Sequence, residues 1–88
     1  MDIKEFEIKL KSEFPKDTID IKEIEDEKMY TTFINGKENR FNYFTDRDLS
    51  NQGEYLLKWV VVELKFLKKF GICWDGDNKL ETLMKIVE

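Results

Sequence analysis

Apolar residues recur at helical spacing at the start of the chain. A stripe with spacings of three, four and four positions is formed by Ile3, Phe6, Leu10 and Phe14. Asp2 precedes this stripe as an N-cap candidate, with Glu5 three positions later. Pro15 lacks a backbone N–H and disfavours helical geometry at the residue before it. The pattern therefore predicts a helix over residues 2–14.

The next segment, residues 18–44, has the alternation and the residue types of β-strands. Ile19 and Ile21 alternate with polar residues, and the phase then slips at Glu23-Ile24, which indicates a bulge or an early end of the first strand. Residues 28–34 are rich in threonine and aromatic side chains. Asn35-Gly36 follows, and this pair favours a type I′ turn because both central positions need positive φ.

A two-residue loop at Asn35-Gly36 also sets the register of the hairpin. It places Tyr30 opposite Phe41 and Lys28 opposite Tyr43. We therefore expect the core face of the hairpin to carry Tyr30, Ile34, Phe41 and Tyr43. The opposite face is then expected to carry Met29, Phe33 and Phe44.

A long helix is predicted in the second half of the chain. Residues 54–70 contain eleven apolar side chains, so this helix is apolar on most of its circumference and must be covered on more than one side. Asn51 with Glu54 provides one possible N-cap, and Thr45 with Asp48 provides an earlier one. After the helix, Gly71 supplies a residue suited to the left-handed conformation at its end.

The last segment completes the predicted fold. Residues 72–74 form either a short extra strand or a packed connection, and Asp75-Gly76-Asp77-Asn78 is typical of a turn in which Asn78, with Glu81, caps the last helix. The apolar stripe of that helix comprises Leu80, Leu83, Met84 and Val87. We predict one α+β domain over residues 1–88, in the order α-β-β-β-α-(β)-α, with a three-stranded antiparallel sheet packed on the long central helix.

The residue inventory argues against catalysis. The chain has no histidine and a single cysteine, Cys73, which we expect to be a buried structural thiol because no imidazole is present to activate it. Four Cys or His ligands for zinc are lacking, and phosphate-binding glycine patterns are missing. The turn at Asp75 fails the calcium-loop pattern, since Lys79 and Ile86 stand at ligand positions. We therefore predict a protein that is not an enzyme and that binds neither cofactor nor metal.

The longest apolar run, residues 59–62, is far shorter than a membrane span. One cysteine is also fewer than a small secreted domain usually carries. These two features predict a cytoplasmic protein that does not enter a membrane.

Charge is unevenly distributed along the chain. Residues 17–27 contain six carboxylates and one lysine, a local net charge of −5, while the whole chain has a net charge of −4. One interpretation is an edge strand whose charges prevent sheet-to-sheet aggregation. The other is an acidic patch that meets a basic surface on a partner protein.

In layout the chain resembles small acidic phage-encoded inhibitors, notably the anti-CRISPR proteins. The features that carry the resemblance are the helix over residues 2–14, the Asn35-Gly36 hairpin, and the helices over residues 51–70 and 79–88, in an acidic chain without histidine. Members of this class present carboxylates where a target binds nucleic-acid phosphates. The resemblance thus implies an inhibitor of a CRISPR effector or nuclease, contacting it through Asp20, Glu23, Glu25, Asp26, Glu27, Asp46 and Asp48. The lysines of residues 65–69 depart from the pattern, because such an inhibitor does not need them.

Two other functions remain open. The order of elements is similar to that of double-stranded RNA-binding domains, and a nucleic-acid-binding module would use Lys65, Lys68, Lys69, Arg40, Lys37 and Arg47. The acidic net charge argues against this direct contact with nucleic acid. A homo-oligomer, such as a homodimer, would instead bury Met29, Phe33 and Phe44 against a second copy.

Overall fold

The described residues, 1–25, 28–76 and 79–88, form three helices and a three-stranded antiparallel sheet in a computed structural model. The elements in chain order are α1 (Ile3–Ser12), β1 (Ile19–Ile24), β2 (Met29–Ile34), β3 (Lys37–Glu38), α2 (Asp46–Phe70) and α3 (Leu80–Val87). This is the predicted α+β fold with its long helix. Residues 72–74, all of them described, form a connection between α2 and α3 rather than a strand.

Helix α1 begins after its predicted cap, Asp2, and ends at Ser12, two residues before the predicted end at Phe14. The Asp2 carboxylate accepts a hydrogen bond from the Glu5 backbone N–H at 2.8 Å, which satisfies one of the free donors of the first turn. Phe6 and Leu10 are fully buried, and the helix ends before Pro15. The apolar stripe of α1 therefore packs into the core.

Strand β1 pairs with β2 without interruption. The antiparallel register runs from Ile19 opposite Ile34 to Ile24 opposite Met29, so the bulge predicted at Glu23-Ile24 is wrong, and the strand ends at Ile24. The strand order is β1-β2-β3, which leaves β1 at one edge of the sheet. Ile24 lies on the face opposite Ile19, where its half-buried side chain meets Met29 rather than the core.

The turn after β2 has the predicted conformation, but the register beyond it differs from the prediction. Asn35 and Gly36 have φ of 51° and 82°, as a type I′ turn requires. After β3 the chain leaves the sheet, and Tyr30 pairs with Phe44 through two backbone hydrogen bonds of 2.7 and 3.1 Å. The predicted partner was Phe41, three positions earlier.

This shift of three positions reverses which aromatic residues enter the core. Opposite residues of an antiparallel pair share a face, so Phe44 follows Tyr30 inward and is only 1% exposed. Phe41 and Tyr43, predicted as core residues, are 60% and 38% exposed. The predicted pairing of Lys28 with Tyr43 is also wrong, because Lys28 lies in the turn before β2 with φ of 53°.

Helix α2 uses the earlier of its two predicted starts and is kinked near the later one. Thr45 and Asp48 form a reciprocal capping box, with backbone-to-side-chain distances of 2.9 and 3.1 Å. Gln52, next to Asn51, has non-helical φ and ψ of −150° and 41°, so a short segment and a long one meet there. Gly71, with φ of 75°, ends the long segment.

Helix α2 lies between two apolar clusters, which is why its apolar side chains nearly encircle it. The first cluster joins α2 to α1 and the sheet around Phe6, Leu10, Ile34, Phe44, Leu49, Val60 and Leu64. The second joins α2 to α3 around Val62, Phe66 and Leu83, with Trp59 and Trp74 packed against it. The predicted covering of α2 on more than one side is confirmed.

Helix α3 packs through a narrower stripe than the sequence predicts. Leu83 is fully buried, but Met84 is 43% exposed and does not join the core as predicted. The helix follows Lys79, whose side chain makes no capping hydrogen bond. The predicted turn residues Asp77 and Asn78, and with them the predicted Asn78 cap, lie outside the described residues.

None of the helices formed by the described residues combines the length and the apolar character that crossing a bilayer requires.

Candidate functional site

Two of the predicted contact carboxylates, Asp20 and Glu23, lie on strand β1 at the edge of the sheet, and Glu25 directly follows the strand. Asp20, Glu23 and Glu25 are exposed. Asp20 is opposite Phe33 and Glu23 is opposite Tyr30, so these two carboxylates lie on opposite faces of the strand. Asp26 and Glu27, also predicted as contact residues, lie outside the described residues.

Asp46 joins this edge through Tyr30. The Tyr30 hydroxyl donates a hydrogen bond of 2.9 Å to the Asp46 carboxylate, which the capped start of α2 holds in place. Burial raises the pKa of Tyr30, and the hydrogen bond to Asp46 and the negative charges of Asp46 and Glu23 raise it further. Glu23 and Asp46 therefore lie near the same phenol although they are far apart in sequence. We refer to Asp20, Glu23, Glu25 and Asp46 as the acidic edge.

Asp48, the remaining predicted contact residue, has a structural role. Its side chain is half-buried, and its carboxylate accepts the backbone N–H of Thr45 in the capping box. Replacing it would remove a helix cap as well as a charge, so it is separate from the acidic edge.

Among the described residues, no lysine or arginine forms an ion pair with a carboxylate of the acidic edge. The ion pairs formed within the described part of the chain join Lys9 to Glu5 and Glu54, Lys11 to Glu7, and Lys68 to Asp17. Of the carboxylates in these ion pairs, Asp17 belongs to the described part of the acidic run of residues 17–27. The Asp17 carboxylate accepts hydrogen bonds from Lys68, at 2.8 Å, and from Asn35. Both bonds lower the pKa of Asp17, and the bond from Lys68 has the larger effect.

The basic residues that a nucleic-acid-binding module would use are divided between separate surfaces. Lys65, Lys68 and Lys69 line one depression of about 540 Å³ together with Lys16 and the ion-paired Asp17. A different depression of about 390 Å³ is lined by Lys37, Arg40 and Cys73. Cys73 is half-buried, and its thiol donates a hydrogen bond of 3.1 Å to the Glu38 carbonyl.

The apolar surface predicted for a homo-oligomer is also smaller than expected. Phe44 belongs to the core at 1% exposure, so it does not contribute to an outer face. Met29 and Phe33 remain half-buried, and the Lys22 ammonium lies 4.9 Å from the centre of the Phe33 ring. The positive charge over Phe33 makes this face less apolar than the sequence pattern indicates.

A second site contains a residue that the sequence interpretation passed over, Glu63. This carboxylate on α2 is only 6% exposed, and its Oε1 accepts hydrogen bonds from the side-chain amides of Asn42 at 2.7 Å and Asn39 at 3.3 Å. A depression of about 340 Å³ lies beside it, lined also by Phe41, Tyr55 and Trp59. We refer to Phe41, Tyr55, Trp59 and Glu63 as the aromatic cleft.

Burial raises the pKa of Glu63, while the hydrogen bonds from Asn42 and Asn39 act in the opposite direction. The sequence offers one signal for this site: Glu63 interrupts an otherwise apolar run of α2, residues 59–64. That signal shows an unusual carboxylate but does not show which residues surround it.

Replacement of Glu63 by glutamine is expected to raise the free energy of unfolding at neutral pH by on the order of 1 kcal/mol, because the amide removes a buried charge and keeps an oxygen acceptor. The raised pKa means that the folded state holds the proton more tightly than the unfolded state. Wild-type stability should therefore fall as pH rises from the ordinary value of 4.5 through the folded pKa.

Urea unfolding of the wild type and Glu63→Gln across this pH range measures the effect. The gap between the two proteins should close in acid. A gap that stays constant with pH would show that the pKa of Glu63 is the same in the folded and unfolded states. A less stable glutamine variant at neutral pH would show that the ionised carboxylate stabilises the fold.

The chain matches no known protein family, no curated protein and no solved structure.

Proposed function

We propose that this protein is a non-enzymatic inhibitor that binds the basic, nucleic-acid-binding surface of a larger enzyme through its acidic edge. The observation that carries the proposal is that Asp20, Glu23, Glu25 and Asp46 form no ion pair within the described part of the chain, although 15 lysines and arginines are present in the sequence. The partner class is the one that the layout resemblance implies, a CRISPR effector or another nuclease.

Electrostatics supports an arginine- and lysine-rich partner surface. Exposed carboxylates that are free of internal partners speed association with a basic surface and lose this advantage as salt screens the charges. A carboxylate can accept two parallel N–H groups from one arginine side chain. A nucleic-acid phosphate is bound by arginine in the same two-point geometry. The acidic edge therefore competes with nucleic acid for a site of that kind.

The side chains support a binding role rather than a catalytic one. The sequence has no histidine, and the Cys73 thiol is engaged with a backbone carbonyl. The two asparagine amides on Glu63 hold a buried carboxylate, but neither amide transfers protons near neutral pH.

A triple variant, Asp20→Asn with Glu23→Gln and Glu25→Gln, tests the proposal. We expect it to bind the target about tenfold more weakly than the wild type at low salt, because three unpaired charges of the acidic edge are removed. Asp46 is left in place because it also holds the Tyr30 hydroxyl. The measurement is binding to, and inhibition of, a panel of purified CRISPR effectors and nucleases, at low and high salt.

The matched control replaces three exposed carboxylates elsewhere, Glu13, Glu81 and Glu88, with glutamine. It changes the net charge by the same amount and should bind like the wild type. Equal binding by the two triple variants would overturn the proposal. If the acidic-edge variant self-associates in light scattering while the wild type inhibits no enzyme of the panel, the charges serve to protect the edge strand and the proposal fails.

A further inference from the structure

The aromatic cleft is built on one face of helix α2. Tyr55, Trp59 and Glu63 follow one another at intervals of four residues, which places them along the same side of the helix. The Tyr55 and Trp59 rings meet edge to face with their centres 6.5 Å apart. Phe41 lines the cleft from the loop between β3 and α2, and it is 60% exposed. The cleft is thus open to solvent between aromatic side chains, with a carboxylate at one side.

The Glu63 carboxylate is buried without a cation. Within the described part of the chain, no lysine or arginine forms a salt bridge with it. Both asparagine amides donate to Oε1, and no described donor reaches Oε2. A buried carboxylate held by neutral donors alone is costly, so the fold retains a negative charge that a bound cation would neutralise.

The surrounding rings favour the same kind of ligand. The face of an aromatic ring attracts cations, and tryptophan and tyrosine do so most strongly. An anion would be repelled by Glu63, and a purely apolar ligand would leave Oε2 dry without a donor. The chemistry of the cleft therefore selects a group that is planar or apolar along its length and positively charged at its end.

We infer that the aromatic cleft is a binding site for an arginine side chain of a protein partner. The guanidinium group is planar, stacks on aromatic rings, and is more weakly hydrated than an ammonium group, so it enters a half-enclosed site at lower cost. It also supplies several N–H donors, one of which would reach Oε2 of Glu63. A volume of about 340 Å³ is near the lower end of small-ligand pockets and suits one long side chain.

This inference rests on the proposed function for the basic character of the partner, but it uses a different set of residues. None of the four carboxylates of the acidic edge lines the cleft. The arginine would enter beside α2 while the acidic edge provides the broader electrostatic attraction. Arginine is also among the residues that carry most of the binding energy at interfaces, because it fills a desolvated pocket.

Titration of the ¹⁵N-labelled protein with the peptide acetyl-Gly-Arg-Gly-amide tests the cleft directly. We expect saturable chemical-shift changes at the Trp59 indole N–H and at the side-chain amide of Asn42. The matching peptide with citrulline in place of arginine has nearly the same shape but no charge, and it should cause no saturable change. Equal affinity for the two peptides would overturn the inference.

Variants assign the site. Glu63→Gln should weaken binding of the arginine peptide by at least about tenfold, since it removes a charge-assisted hydrogen bond. Tyr55→Ser, at a side chain that is 52% exposed, should weaken it about threefold through loss of one aromatic wall. Ile8→Ser, at an apolar side chain of α1 that is 70% exposed, is the control and should leave binding unchanged. Wild-type affinity in the folded Glu63→Gln variant would overturn the inference.

The acidic-edge triple variant separates this inference from the proposed function. It should bind the arginine peptide like the wild type even where it loses an enzyme partner. Loss of peptide binding in that variant, with Glu63→Gln unaffected, would assign the arginine to the acidic edge and remove the cleft as its site. Failure of every enzyme in the panel to bind the wild type would reject the proposed function and leave the peptide result unchanged.

Discussion

Replacing Phe44 with alanine is expected to lower the free energy of unfolding by about 3–5 kcal/mol. The Phe44 side chain is 1% exposed, and its ring centre lies 4.9 Å from that of Phe6 and 5.8 Å from that of Tyr30. Its removal leaves a cavity where α1, the sheet and α2 meet. Since small domains are stable by only about 5–15 kcal/mol, this one change removes a large part of the total.

The matched control is Phe41→Ala, three positions earlier in the chain. Phe41 is 60% exposed, so its replacement should change the free energy of unfolding by less than about 0.5 kcal/mol. Urea unfolding followed by far-UV circular dichroism measures both changes. If Phe44→Ala is too unstable to fold, Phe44→Leu should still cost about 1–2 kcal/mol. A larger effect at Phe41 than at Phe44 would restore the hairpin register that the turn alone predicts.

Replacing Leu83 with alanine should release helix α3, at a cost of about 3 kcal/mol to the packing between α2 and α3. Leu83 is fully buried in the second cluster with Val62 and Phe66. Helix α3 has only eight residues, too few for a stable isolated helix, so it depends on this contact. The loss of this packing should therefore destabilise α3 more than it destabilises the sheet.

Amide hydrogen exchange distinguishes this local release from general unfolding. In Leu83→Ala the amides of α3 should lose protection while those of β1 and β2 keep it. Met84→Ala is the control on the same helix, because Met84 is 43% exposed and should be replaced with little effect. Equal loss of protection in the sheet and in α3 would contradict a separate α2–α3 cluster.

Local patterns in the sequence predict the helices and the turn because the forces that decide them act over a few residues. The stripe of α1, the capping box at Thr45 and the positive φ of Asn35 and Gly36 each depend on neighbours within about one turn of helix or hairpin. Both predicted starts of α2 correspond to a feature of the structure. The helix is capped at Thr45, the earlier start, and it is kinked at Gln52, next to the later one.

The hairpin register could not be predicted because it depends on contacts far along the chain. The Asn35-Gly36 turn fixes only the pairs next to it, ending at Phe33 opposite Glu38. Beyond β3, Asn39 and Asn42 donate hydrogen bonds to Glu63 on α2, and the loop that they hold adds three residues. An odd number of added residues turns the following side chain to the other face of the sheet.

The acidic run shows the same limit for the candidate site. Clustering in sequence suggested one patch, but strand alternation places Asp20 and Glu23 on opposite faces. Asp17 is paired with Lys68, which is 51 positions away. Asp46 joins Glu23 only because Tyr30 lies between α2 and β1. The arrangement of these carboxylates depends on tertiary packing, so it could not be predicted by counting charges along the chain.

The positions of the two tryptophans determine which part of the molecule their fluorescence reports on during unfolding. Trp59 and Trp74 both pack against the cluster between α2 and α3, and neither belongs to the cluster beneath the sheet. Tryptophan emission therefore follows the melting of one half of the molecule. If the emission and circular-dichroism curves coincide during denaturation, the two halves unfold as a single cooperative unit, and if emission changes first, α3 is the weaker half.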